Sequence, residues 1–210
     1  MTNSSTLFFL ILVLIAFSSC EQSPKPFDNR TYIVDSSITP LLNKQLNSSK
    51  GQIMALTDIK LYKDDKLVED TYTNGKSIDE GAVMSSREFT EEMIYIYGFV
   101  GTSGNFGYKI VLFKDTCTVE YFAKSDSVKY KLNKNDILAS GVLVPCKISR
   151  LTISKKPKPY AGEFVEGILE VTSEDYYEVV NGKESRCRMQ LKSYFRTNKI
   201  PDLYMPKDSN

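Results

Sequence analysis

The dipeptide Asn181-Gly182 constrains the fold of this chain more than any other short stretch of its sequence. Asn-Gly between two β-like segments is the strongest short signal for a two-residue hairpin, because both turn positions require a positive φ. Residues 176–180 before the turn are mostly aromatic or β-branched, and residues 186–196 after it largely alternate between polar and apolar side chains. We therefore predict a C-terminal hairpin whose second strand is buried on one face and exposed on the other.

The alternation assigns the side chains of that second strand to faces. The residues predicted to face the core are Cys187, Met189, Leu191 and Phe195. The residues predicted to face solvent are Arg186, Arg188, Gln190, Lys192 and Arg196. Ser193 interrupts the apolar series, and its small uncharged side chain indicates a place where the sheet packs closely. The solvent face is basic, and we predict a partner-binding surface either on the exposed loops or on this face, where Arg186, Arg188 and Lys192 would form it.

Further turn signals predict the same construction along the rest of the chain. These turns lie at residues 63–66, 101–105 and 115. The other predicted strands are 52–61, 67–73, 94–100, 106–114, 117–123, 141–154 and 162–172. Successive hairpins joined by short turns form an antiparallel meander. The predicted fold class is therefore mainly β, with the meander forming a barrel or a sandwich.

One or two short N-terminal helices complete the predicted fold. Thr39-Pro40 is typical of a helix start, with Thr39 as the N-cap and Pro40 in the first turn. Residues 86–91 are expected to form a helical turn, because Ser85 and Glu88 have the spacing of a capping box. We expect residues 36–199 to form a single domain and residues 200–210 to form a loose C-terminal tail.

The chain contains no histidine. This excludes Ser-His-Asp and Cys-His nucleophiles, histidine-ligated zinc and the commonest general base. Carboxylates between Glu163 and Glu178 could still catalyse glycoside hydrolysis, but no spacing singles out two of them. Charge is balanced, with 27 Lys and Arg against 26 Asp and Glu, which is not the footprint of a nucleic-acid binder. We predict a protein that is not an enzyme and needs no cofactor or metal.

Three cysteines follow residue 100, at Cys117, Cys146 and Cys187. In an oxidising compartment an odd number of thiols allows one disulfide and one spare thiol, in any of three pairings. The sequence does not choose between these pairings and a fully reduced set of buried thiols.

The N-terminus carries eleven uninterrupted apolar residues from Leu7 to Phe17, followed by Ser18-Ser19-Cys20 and a polar, proline-bearing segment. A membrane-spanning helix needs about 20 apolar residues, whereas a run of this length fits the hydrophobic region of a signal peptide. The pattern resembles the lipobox of bacterial lipoproteins. The resemblance implies a signal peptide at 1–19, cleaved before Cys20, with a lipidated cysteine that begins a linker over 20–35. It also implies acylation of the new amine by a fatty acid such as palmitate.

In length and composition the chain is similar to envelope lipoproteins of Bacteroidetes-type bacteria. This resemblance implies a protein held at a membrane of the bacterial cell envelope, on its periplasmic or surface side, that binds a protein or glycan partner. Two alternatives remain open. One is a calycin-like barrel that carries a small apolar ligand, and the other is an immunity or inhibitor lipoprotein against a secreted toxin. A barrel interior filled with aromatic side chains would speak against the first alternative.

Overall fold

The computed structural model describes residues 30–46, 55–73, 84–89, 93–100, 106–157 and 164–197 of the 210-residue chain. The predicted signal peptide, Cys20, most of the linker, the turn at 101–105 and the C-terminal tail lie outside the described residues. Within the described ranges, no helix is long and apolar enough to cross a membrane.

Thirteen strands in the described part of the chain belong to one continuous sheet. They are β1 (Arg30–Thr31), β2 (Ile33–Val34), β3 (Ala55–Lys63), β4 (Lys66–Thr73), β5 (Met84–Phe89), β6 (Met93–Val100), β7 (Phe106–Phe113), β8 (Thr116–Lys124), β9 (Tyr130–Lys131), β10 (Gly141–Ile153), β11 (Glu166–Ser173), β12 (Tyr176–Val180) and β13 (Lys183–Arg196). The main path is β4-β3-β13-β11-β10-β8-β7-β6-β5. The predicted mainly β, antiparallel class is confirmed, and only the short β2–β10 pairing is parallel among the described pairings.

The sheet is not closed, because the path ends at β4 on one side and β5 on the other. It bends at β10, whose residues 141–145 pair with β8 and whose residues 146–153 pair with β11. We call β5 to β8 with residues 141–145 the first half-sheet. The second half-sheet is residues 146–153 with β11, β13, β3 and β4. This arrangement agrees with a sandwich or an open barrel.

Aromatic side chains fill the space between the inner faces of the two half-sheets. The Tyr108 ring of β7 lies edge-on to the Phe195 ring of β13, with 6.5 Å between centroids. At the other end of the core, Tyr176 packs against Tyr121 at 5.8 Å and against Tyr130 at 6.4 Å. All five residues are buried. The interior that a carried ligand would need is therefore occupied by the chain's own side chains.

The predicted C-terminal hairpin is confirmed. Asn181 and Gly182 have φ values of 53° and 76°, which is the left-handed conformation that the Asn-Gly turn predicts. The four residues of β13 predicted to face the core are buried, and Ser193 is buried with them. β13 pairs with β3 along one edge and with β11 and β12 along the other. The second hairpin turn, at Asp64 and Asp65, also has positive φ angles of 49° and 64°.

The N-terminal helix is confirmed, but its cap was assigned to the wrong residue. A 3₁₀ turn over Ser36–Ile38 leads directly into α1, Thr39–Leu46. The N-cap is Asp35, whose carboxylate accepts a hydrogen bond from the Ser37 N–H at 2.9 Å. Thr39 already has helical backbone angles, because the 3₁₀ turn begins the helical segment at Ser36. The unpaired N–H groups at the start of that segment are therefore capped by Asp35. Residues 30–31 and 33–34, predicted to belong to the linker, form β1 and β2.

The helical turn expected over 86–91 is wrong for the described residues 86–89. Residues 84–89 form β5, which pairs with β6 along six residues. A capping box stabilises a helix end only locally, whereas β5 supplies a full ladder of hydrogen bonds to an otherwise unpaired edge of β6. The sheet therefore overrides the local helix signal at this position.

Candidate functional site

The outer face of the first half-sheet carries an open groove with a volume of about 690 Å³. Its described lining residues are Tyr97, Phe99, Lys109, Phe122, Ala123, Lys124, Gly141, Val142 and Leu143. We call it the aromatic groove. Its volume lies in the range of sites that bind small molecules.

Strand register builds the floor of the aromatic groove. Phe99, Gly107, Phe122 and Leu143 stand directly opposite one another on four neighbouring strands, β6, β7, β8 and β10. Their neighbours along each strand point into the core, so alternation directs this row outward. Four strands span about 14 Å across the sheet. The row is therefore a continuous apolar stripe perpendicular to the strands.

The rings of the aromatic groove hold one another in place. Phe99 packs edge-on against Phe122 with centroids 5.5 Å apart, and Tyr97 stacks on Phe99 at 6.0 Å. The Phe122 ring covers Gly107. A Cβ added at Gly107 would lie 2.8 Å from the Cζ atom of Phe122 and 1.9 Å from the Gly98 carbonyl oxygen. Glycine is therefore required at position 107, beneath the Phe122 ring. Phe122 lies on the outer face of the sheet, but its side chain is only 6% exposed. Leu143 is 52% exposed beside it.

Two lysines border the aromatic groove, and they differ in their surroundings. The Lys109 ammonium lies 3.2 Å from the Glu120 carboxylate and 5.6 Å from the centre of the Tyr95 ring. Lys124 is exposed and has no ion pair within the described part of the chain. The groove thus combines an apolar floor with one compensated and one uncompensated positive charge.

The predicted basic surface lies on the outer face of the second half-sheet, and its three cations all have acidic neighbours. Arg186 pairs with Asp65 and lies 3.6 Å from Asp175. Arg188 lies 3.6 Å from Asp65. Lys192 pairs with Glu170 at 3.1 Å, and the hydrogen bond to that carboxylate raises the pKa of the lysine. The structure places the three residues on one face, and its role in binding a partner stays a prediction.

Most of the candidate catalytic carboxylates that the structure describes are in ion pairs, whereas Glu174 is exposed. Glu166 pairs with Arg196 at 2.7 Å, and Glu178 lies between Lys63 and Lys129, the latter at 2.7 Å. Burial would raise the pKa of Glu178, but hydrogen bonds from the two lysines outweigh that effect and lower it. An ionised, doubly paired carboxylate is a structural group and is poorly suited to act as a general acid. Glu163 lies outside the described residues.

Ser193 belongs to a buried hydrogen-bond chain that links the half-sheets. Its hydroxyl lies 3.0 Å from the Tyr108 hydroxyl of β7 and 3.0 Å from the Thr57 hydroxyl of β3. All three residues are buried, and burial raises the pKa of Tyr108. The close packing predicted at Ser193 is confirmed, while its hydrogen bonds were not predicted. No solvent reaches these hydroxyls, so they belong to the core that joins the two half-sheets.

The three described cysteines are free thiols. Burial raises the pKa of Cys117 and Cys187 to about 11 and that of Cys146 to about 12. The Cys117 thiol also donates to the Arg30 carbonyl at 3.2 Å. In the structure Cys117 and Cys187 are buried and Cys146 is half-buried, and the raised pKa values favour the protonated thiols at neutral pH. Which pairing of the three cysteines forms in an oxidising compartment stays a prediction.

Among the described residues, no group of three or more histidine, cysteine, aspartate or glutamate side chains could hold a metal ion. No family model matches the chain, and no curated protein or solved structure matches it significantly.

The aromatic groove was not predicted from the sequence, although a signal for it was present. Within residues 94–99, the inward series Ile94, Ile96 and Gly98 alternates with Tyr95, Tyr97 and Phe99. A strand that is apolar or aromatic on both faces has a second surface to cover, or one that binds something. The sequence pattern predicted only that residues 94–100 form a strand.

Proposed function

We propose that this protein is a lipid-anchored protein of the bacterial cell envelope that acts by binding a partner, without catalysis, and that the aromatic groove is its binding surface. The observation that carries the proposal is the ordered aromatic stripe on an outer sheet face. A groove lined mainly by apolar and aromatic side chains, with a few polar groups at its border, is typical of ligand-binding sites. The ion pairs of Glu166 and Glu178 and the burial of the Ser193 hydroxyl support a role without catalysis.

The position of the groove relative to the proposed tether supports this function. Arg30, the first described residue, pairs with Cys117 near the start of β8, whereas Phe122 and Lys124 lie near its end. Seven residues of strand separate Cys117 from Lys124, which is about 23 Å. A tether attached at Cys20 would enter the domain at the far end of β8 from the groove. The groove would then be open to the compartment and not pressed against the bilayer.

A small apolar ligand remains a candidate partner, but not in the interior of a barrel. The space between the half-sheets is filled by Tyr108, Tyr121, Tyr176 and Phe195. The aromatic groove, in contrast, has the volume and lining of a ligand site and is open to solvent. A carried ligand would therefore bind on the outer face.

A matched pair of surface substitutions tests the proposal in the source cells. Leu143→Asp places a charge on the groove floor, and Ile137→Asp places the same charge on a side chain that is 91% exposed outside the groove. Envelope complexes are isolated through the full-length protein after mild cross-linking. We expect the same amount of partner to be recovered with the unmodified protein and with Ile137→Asp. With Leu143→Asp the recovered amount should be at least tenfold lower.

Equal recovery of one partner with all three proteins would contradict the groove as the binding surface. Turnover of a substrate by the purified protein, abolished by one carboxylate substitution that leaves the melting temperature unchanged, would contradict the absence of catalysis.

A further inference from the structure

We propose that the aromatic groove binds a single acyl chain that ends in a carboxylate, with the carboxylate at Lys124. This inference rests on the proposed function, because it assigns a ligand class to the same groove. It follows from three properties of the groove: its shape, the small number of its hydrogen-bonding groups, and the uneven distribution of its charge.

The shape fits a narrow linear apolar group. The row of Phe99, Phe122 and Leu143 spans neighbouring strands, with the glycine backbone at Gly107 beneath the Phe122 ring. The path from Lys124 over Phe122 to Phe99 and Tyr97 crosses two strand spacings diagonally and is about 12–16 Å long, which matches an extended chain of roughly ten to twelve carbon atoms. The interlocked rings need little rearrangement to receive such a chain, which favours binding because less side-chain entropy is lost.

The chemistry of the lining disfavours a glycan. Sugars need several convergent hydrogen-bond partners, and sites that bind polar ligands supply them from amide, hydroxyl and carboxyl side chains. The described lining offers only the Tyr97 hydroxyl and the ammonium groups of Lys109 and Lys124. A ligand that is polar along its length would lose its bonds to water here without replacement, whereas the hydrocarbon part of an acyl chain has none to lose.

The charges orient the ligand. Lys124 is two residues after Phe122 on β8 and has no ion pair among the described residues. Lys109, on the Tyr97 side of the groove, is already compensated by Glu120 at 3.2 Å, and that carboxylate would repel an anion. A carboxylate is therefore favoured at Lys124, with the acyl chain running over Phe122 toward Phe99 and Tyr97.

Photolabelling of the full-length protein in lipid nanodiscs tests this assignment directly. The probe is dodecanoate with a photoreactive diazirine at its methyl end, and the matched probe is the corresponding dodecanol. Mass spectrometry should locate the dodecanoate label on the groove residues Tyr97 or Phe99. The alcohol should label them several-fold less, because it cannot form the ion pair with Lys124.

Two lysine substitutions separate the specific ion pair from general charge. Lys124→Gln should lower dodecanoate labelling about fivefold, the upper end of what one exposed ion pair contributes, and should leave dodecanol labelling unchanged. Lys134→Gln removes an exposed lysine outside the groove and should change neither. Equal melting temperatures of the two variants show that neither change acts through unfolding.

The proposal is overturned if the groove residues are not labelled, if acid and alcohol label them equally, or if the two lysine variants behave alike. Any of these three results would leave the proposed function intact, provided that Leu143→Asp still abolishes recovery of the envelope partner in the cross-linking experiment. The reverse outcome, specific labelling with no effect of Leu143→Asp on the recovered partner, would leave the acyl site standing and remove the groove as a partner surface.

Discussion

Removing the Ser193 hydroxyl should destabilise the domain by an amount that depends on Tyr108. Ser193 is buried, and its hydroxyl is the one described hydrogen-bond partner of the Tyr108 hydroxyl, at 3.0 Å. Ser193→Ala would leave the phenol in the core without a partner, because the site is closed to water. An unsatisfied buried hydroxyl costs about 1–3 kcal/mol, so we expect the free energy of unfolding to fall by about 2 kcal/mol.

The assay is thermal unfolding of the full-length protein followed by circular dichroism. For a domain of this size, about 2 kcal/mol corresponds to a decrease in melting temperature of about 4–8 °C. Ser127→Ala is the matched control, because Ser127 is exposed and its substitution should stay within about 0.5 kcal/mol of neutral.

A double-mutant cycle then isolates the contact between the half-sheets. Tyr108→Phe removes the phenol hydroxyl, so Ser193→Ala made in that background no longer leaves it unsatisfied. We expect the serine substitution to cost about 1 kcal/mol less in the Tyr108→Phe protein than in the unmodified one. The contrary result is a double mutant destabilised by the sum of the two single-mutant effects, within about 0.3 kcal/mol. That result would show that the two hydroxyls do not interact, and it would refute this packing of β7 on β13.

Three further predictions concern the anchor, the core and the tyrosines. Cys20→Ala should leave the protein uncleaved or soluble, and mature-sized protein that still partitions with membranes would contradict lipidation. Met189→Asp buries an unpaired charge and should lower the free energy of unfolding by about 3 kcal/mol or more. Lys192 is exposed, so Lys192→Ala should lower it by only about 0.5 kcal/mol. Equal melting temperatures of the two variants would contradict the register of β13. Burial raises the pKa of Tyr121 and Tyr176 above the ordinary value of 10.0, so the stability that depends on their neutral hydroxyls is complete below pH 10 and is lost at higher pH. Their ionisation, followed by tyrosinate absorbance, should coincide with unfolding, and ionisation in the folded protein would contradict their burial.

The strands were predictable where an alternation of polar and apolar residues met a turn with special backbone geometry. The hairpin at Asn181-Gly182 and the faces of β13 follow from two local rules, the positive φ of the turn and the period of two along a strand. Both signals are contained in a few consecutive residues. Such a prediction needs no knowledge of which strands become neighbours.

The features that the sequence did not predict depend on contacts between distant residues. The helical turn expected at 86–91 gave way to β5, because β6 offers a pairing edge that no local pattern reveals. Likewise, the aromatic groove exists because Phe122 and Leu143 come into register with Phe99 from three separate segments. The individual residues were visible in the sequence, but their assembly into one row depends on strand order.

The claim that the outer aromatic face is the binding surface is tested most directly in intact cells. A photoreactive amino acid introduced at position 143, in the groove, is compared with the same amino acid at position 137, which is exposed outside it. Irradiation should produce a discrete cross-linked species, or a labelled small molecule, from position 143 and none from position 137. Identical cross-linking from both positions, or cross-linking only from 137, would contradict the account.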